Sequence, residues 1–228
     1  DAQLVIGNDQ GGEFFTMSDV IQQMLPPDPT KPTETSLHNV MQIHGFIGLS
    51  VGGILGWWLI YDTIWKTKLK ERPVAAVLLT FALLLAAAFF FDRYFNGRSV
   101  YLQIGAMMGS AMSANVFFHI IQNQKKFMAS LRAGLPHDMK YGKQAKLRSM
   151  HNHYMTFPVL FMMLSAHFPQ LTSAGRNVPI LGVIIIALMT VKYLMNSRYY
   201  FRHWLLSIFA TFIAACVVIG TLLAVPTA

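Results

Sequence analysis

Six blocks of apolar residues, each near the length of a membrane-crossing helix, constrain this chain more than any other feature. They run over residues 40–65, 73–91, 100–122, 152–168, 178–195 and 204–225. A helix needs roughly 20 residues to cross about 30 Å of hydrocarbon. The composition agrees: 54% of residues are hydrophobic and 12% charged, where soluble domains carry about 25% charged residues. The expectation is an all-α, polytopic transmembrane helical bundle of about six spans over residues 40–228, preceded by an outer N-terminal arm over residues 1–39.

The arm is polar and rich in proline between Pro26 and Pro32, with at most a short helix over residues 14–23. It has neither a basic nor an apolar leader segment, so no signal peptide is expected in it. The net charge of +8 would suggest nucleic acid in a soluble protein. Here the cations gather in short connections between apolar blocks, which is the pattern of membrane orientation and argues against nucleic acid. Thirteen Lys and Arg follow blocks one, three and five, while Lys31, Arg93, Arg98 and Arg176 lie on the opposite side. The positive-inside rule then places both termini on the outer, periplasmic side of a bacterial inner membrane. The longest polar connection is expected over residues 123–149, with Lys125, Lys126, Arg132, Lys140, Lys143, Lys146 and Arg148.

Trp57, Trp58, Tyr61 and Trp65 close the first block and suit a headgroup interface. Pro73 suits the first turn of the second, and Pro158 should bend the fourth. Small residues recur every four positions at Gly48, Gly52 and Gly56 and at Gly105, Gly109 and Ser113. Such stripes admit a neighbouring backbone or a flat cofactor. Gln103, Asn115, Gln122, Asn123 and Gln124, costly in lipid, should face the bundle interior or the inner interface.

Histidine is the residue with most chemical reach, since neutral imidazole is the usual ligand for haem iron in a protein with few intramembrane charges. His44 lies near the outer end of the first block, His119 near the inner end of the third, His151 and His153 at the inner start of the fourth, and His167 at its outer end. His153 and His167 are fourteen residues apart, which returns to within about 40° of one helix face and rises about 21 Å. That spacing suits two b-type haems stacked across a bilayer, with His44 beside His167 and His119 beside His153. The same histidines could instead cap helix ends or bond neighbouring helices. Met107, Met108, Met112, Met155, Met162 and Met163 are thioethers that more commonly fill gaps. The single Cys216 leaves no CxxC or CxxCH pair.

No Ser-His-Asp order, HExxH or glycine-rich phosphate loop appears, so hydrolase chemistry has no support. No acidic residue is expected deep in the spans, which disfavours a proton-coupled transporter.

The run from Gly97 to Phe117, then Gln122 to Lys125, Gly142 to Ser149 and His151 to Pro169 resembles the membrane domain of the bacterial cytochrome c-linked urate oxidase (urate hydroxylase) family. Asn196-Ser-Arg198 and Gly11-Gly-Glu-Phe-Phe15 also look like the family's pattern. The resemblance implies a multi-span module that oxidises a small molecule and passes electrons to a c-type cytochrome on the outer face. His151, Asn152, Tyr154, Thr156, Pro158 and His167 match that pattern, and His151 and His167 are the residues it suggests for metal or haem. His44, His119 and His153 are this chain's own. The family is expected to carry one more helix upstream and a cytochrome c domain downstream. The rival expectation is a non-catalytic membrane subunit that scaffolds a larger electron-transfer complex.

Overall fold

A computed structural model describes residues 34–224 except 68, 70, 71, 135–138, 173 and 174. The expected arm helix over residues 14–23 and the proline-rich stretch lie outside the described residues. Every regular element among the described residues is helical: α1 Glu34–Lys66, α2 Pro73–Phe91, α3 Gly97–Ala114, a π-helical stretch Asn115–Ile120, α4 Ile121–Arg132, α5 Met139–Leu164, a 3-10 turn Ser165–His167, α6 Pro169–Thr172, α7 Asn177–Asn196, a 3-10 turn Ser197–Tyr199 and α8 Trp204–Ala224. This is the polytopic helical bundle the apolar blocks imply.

Contacts divide the chain after Val51. Residues up to Val51 carry the first part of α1, where His44 is exposed. The unit from Gly52 onward holds the end of α1 and all later helices.

Five segments are long and apolar enough to cross a membrane: His44–Lys66, Val74–Phe91, Gly97–Arg132, Asn177–Tyr199 and Trp204–Ala224. The sixth expected span is α5, and it is built differently. Its 26 residues reach about 39 Å, but its first half is rich in Lys, Arg, Asn and His. α5 packs against α3, the π-helical stretch, α4 and α7. Arg148, Pro158, Val159 and Met162 are buried in those contacts. Neighbouring helices thus supply the polar partners that lipid could not.

The connection expected over residues 123–149 is mostly helix. α3 continues through the π-helical stretch into α4 as far as Arg132, and α5 already begins at Met139. The reason is amphipathicity: Lys125, Lys126, Lys140 and Lys143 recur on exposed faces of helices that pack on each other, which reads as a loop when only charge is counted. α5 runs unbroken through Pro158, fully buried within it.

The α3 small-residue stripe is a helix contact. A Cβ on Gly105 would lie 2.7 Å from Met162 Cβ, and one on Gly109 3.8 Å from Val159. In α1, Gly52 and Gly56 face open space, whereas the neighbouring Gly53 meets Phe91.

Candidate functional site: a buried polar network beside an apolar cavity

At the end of α1, Trp57, Tyr61 and Trp65 are spaced four apart and share one face, which is turned into the bundle. One position on from Tyr61, Asp62 is buried at 7% exposure. Asp62 Oδ1 accepts from Arg148 Nη2 at 2.9 Å and from His119 Nε2 at 2.6 Å. Lys66, a turn further on and largely exposed, pairs with Asp62 Oδ2.

From Arg148 the hydrogen bonds run on with a fixed direction. Arginine only donates, so Asn115 Oδ1, 3.2 Å from Arg148 Nη1, is an acceptor and the Asn115 amide nitrogen must donate. That nitrogen donates to Tyr61 Oη at 3.0 Å and to Asn152 Oδ1 at 2.9 Å. Asn152 in turn donates to the Met112 carbonyl. The Tyr61 hydroxyl receives one bond and has one proton to place, and its partner at 2.8 Å is His151 Nδ1. With the Tyr61 proton directed at His151, this contact favours the tautomer in which Nδ1 accepts and Nε2 is protonated. A charge on Arg148 thus orients the Asn115 amide and, through Tyr61, favours one tautomer of His151.

Local backbone geometry makes this meeting possible. The π-helical stretch carries Asn115 at its start and His119 in its last turn. Such widened turns re-aim side chains and recur at functional sites. Asn115 is 1% exposed and Gln103 6%, so these two face the interior, whereas Gln122 and Gln124 are exposed and Asn123 is half-buried.

Against the network lies a cavity of about 110 Å³, walled by α1, α2, α3, α5 and α7 and lined by Trp57, Tyr61, Trp65, Met108, His151 and Ile185 among others. The Trp65 and His151 rings meet with centroids 3.9 Å apart. The indole nitrogens of Trp57 and Trp65 are buried and have no hydrogen-bond partner. A separate open cleft of about 430 Å³, between α4 and α5, is lined by Gln124, Phe127, Lys146 and His153.

The histidines singled out by spacing fall in different settings. His119 and His151 belong to the network. His153 is exposed and its Nε2 donates to Asn196 Oδ1 at 2.9 Å. His167 is exposed in the 3-10 turn after α5, and His44 lies in the first unit. No group of three or more His, Cys, Asp or Glu suited to a metal occurs among the described residues. A haem-ligating imidazole gives a lone pair from one nitrogen while the other donates. His151 fits that role only in the tautomer in which Nδ1–H donates to Tyr61 and Nε2 carries the lone pair. His119 and His153 each donate from Nε2 to a side chain, Asp62 and Asn196, which leaves Nδ1 as the lone pair of each ring.

Asp62 and Arg148 were not legible as site residues. Asp62 lies in the last turns of α1, away from the deep part of a span where no acid was expected, and Arg148 hides among seven cations of one segment. The usable signal is local: Asp62 sits four residues before Lys66 within an aromatic helix end, and Arg148 shares a helix face with Asn152.

An all-helical bundle with a buried Asp-Arg-His network at one end of its apolar interior defines a polytopic membrane protein with a built polar site. The chain belongs to the urate oxidase N-terminal family, whose model matches residues 33–224. No curated protein and no solved structure matches it.

Proposed function

We propose that the chain is the membrane module of a redox system that oxidises a small molecule and passes electrons to a c-type cytochrome. The observation that carries this is the buried ionised pair Asp62–Arg148, continued through Asn115 and Tyr61 to His151, in a member of the urate oxidase N-terminal family. Ionisable groups in an apolar bundle are expensive and mark working sites by default. The reading rests on the polar network and needs no haem ligand. The network's contribution is to favour one tautomer of one imidazole, with Nε2–H available as a proton donor. The module belongs in a bacterial inner membrane with both termini on the periplasmic side, a placement supported by the thirteen cations after blocks one, three and five.

A second reading, a non-catalytic subunit scaffolding a larger electron-transfer complex, is favoured by a different observation. His119, His151 and His153 each join one helix to another, to Asp62, Tyr61 and Asn196 respectively. The deciding experiment presents the purified protein with a c-type cytochrome and a panel of purines, and follows cytochrome reduction. Turnover that is lost in His151→Gln and kept in His153→Gln supports the redox module. Absence of turnover with every purine, in protein that migrates only with a large complex on a native gel, supports the scaffold.

A further inference from the structure

We propose that the cleft between α4 and α5 seats the phosphate headgroup of an anionic phospholipid, with its acyl chains lying down the exposed apolar face of α5. The first argument is charge. α4 and α5 together carry seven Lys and Arg and no Asp or Glu. Arg148 is answered from α1 by Asp62. Lys140, Lys143 and Lys146 follow one another at three-residue steps on exposed positions, which sets like charges side by side on one helix. α4 packs against α5 and brings Lys125 and Lys126, with Lys126 Nζ 5.5 Å from the centre of the Tyr141 ring. Two packed helices that gather cations and hold no acid of their own suit an anion placed between them. The cleft there, about 430 Å³, is of a size that takes a small molecule, and its wall is polar in part, with Gln124, Lys146 and Ser149 in the lining.

The second argument separates a lipid from a soluble anion. Positions 146, 150, 153, 157, 160 and 164 of α5 return to within about 40° of one line along the helix. Lys146, Met150 and His153 stand on this face at the cleft, and Phe157, Leu160 and Leu164 continue it. Leu160 is 51% and Leu164 55% exposed, so the apolar half of the face is open. The change from cationic to apolar falls at His153, whose Nε2 bonds Asn196 at the end of α7. Five residues earlier, Arg148 bonds Asp62 near the end of α1. α1 and α7 both contain segments apolar enough to cross a membrane, and both finish at this level. The cleft therefore begins where two spans end. From His153 to Leu164 the helix rises roughly 16 Å, close to the hydrocarbon depth of one leaflet, half of about 30 Å. A free phosphate makes no use of that stripe, whereas an amphiphile with an anionic head uses both halves. The proposal is one of binding and stands apart from the cytochrome-linked reading.

The test titrates the full chain in detergent with phosphatidylglycerol, phosphatidylcholine and inorganic phosphate, and counts bound lipid by native mass spectrometry. The expected result is saturable binding of phosphatidylglycerol, about fivefold or more tighter than phosphatidylcholine and not displaced by inorganic phosphate. Lys146→Gln should weaken phosphatidylglycerol about fivefold, the worth of one cation at an anionic surface. Arg202→Gln removes an exposed cation that does not line the cleft and should leave the affinity unchanged. Equal binding of the two lipids overturns the proposal, since charge would then select nothing, and so does the absence of any bound lipid. Displacement by inorganic phosphate would make the site one for a soluble anion, and equal losses in the two variants would reduce it to the general pull of a cationic surface. A dimer free of lipid would give the face to a second copy of the chain. Each of these three results overturns the proposal as well. The three-probe comparison on the unaltered protein decides the matter even where a variant fails to fold.

Discussion

Asp62 and Arg148 meet at 2.9 Å across the interface of α1 and α5, and each is less than a tenth exposed. Removing one partner of a buried pair strands the other charge, at a cost of about 3–5 kcal/mol. Arg148→Met should therefore destabilise the protein by about that amount, and Asp62→Asn should do likewise. Lys66 is 63% exposed, so Lys66→Met should change stability by less than about 1 kcal/mol despite its pairing with the same carboxylate. Reversible denaturation in detergent, following helix content, gives all three values. An Arg148→Met variant as stable as the parent would show that the pair is no strut.

The direction of the bonds from Arg148 to His151 yields a spectroscopic prediction. In protein labelled with nitrogen-15 histidine, the His151 resonance should report the tautomer protonated at Nε2. Tyr61→Phe removes the hydroxyl that Nδ1 accepts from and should release that preference. Asn115→Leu should release it as well, because Tyr61 then loses the donor that orients it. An Nδ1-protonated His151 in the parent protein would break the chain of inference at Tyr61.

Helix ends were readable wherever an apolar block was bounded by charge or proline. Expected boundaries for α2, α7 and α8 fall within a residue of the structure, because Pro73, Asn196-Ser-Arg198 and Trp204 mark abrupt changes of solvent. The helical pairing of α4 and α5 was hidden, since an amphipathic helix with a charged face has loop-like composition. The polar network was hidden for another reason. Asp62 and Arg148 are 86 positions apart, and one sequence gives each of them a local neighbourhood without naming the residue across the interface. Asn115 was legible as interior because an uncharged amide within an apolar block has few other places to go. The histidines stood out by type, yet their spacing along α5 said nothing of Tyr61 or Asn196, which occupy His151 and His153.

Two glycines of similar sequence setting should respond oppositely to alanine. Gly105→Ala sets a methyl 2.7 Å from Met162 Cβ, an atom fixed to backbone, so α3 and α5 must part. Overpacking of this kind costs about 1–3 kcal/mol. Gly56→Ala meets nothing within 4 Å and gains helix propensity of up to about 1 kcal/mol. Thermal midpoints of the two variants should move in opposite directions. A neutral Gly105→Ala would show that the α3–α5 contact yields more readily than its geometry indicates.

Whether α5 crosses the bilayer decides the number of spans and the side on which α7 begins. Apolarity alone does not mark it as a span, since Arg148 and Asn152 lie in its middle. Both have partners inside the protein, Asp62 and Asn115 for the one and Met112 for the other, so lipid never has to solvate them. A crossing helix with satisfied polar groups is compatible with a bilayer even where its mean hydropathy is low. Single cysteines placed on a Cys216→Ser background test this directly. Lys126→Cys and Lys143→Cys, on α4 and the start of α5, should react with an impermeant maleimide only after the inner face is opened. Gln170→Cys, in α6 just beyond the other end of α5, should react in intact spheroplasts. Labelling of all three from one side would place both ends of α5 on that side, reduce the crossings to five and put the two termini on opposite faces.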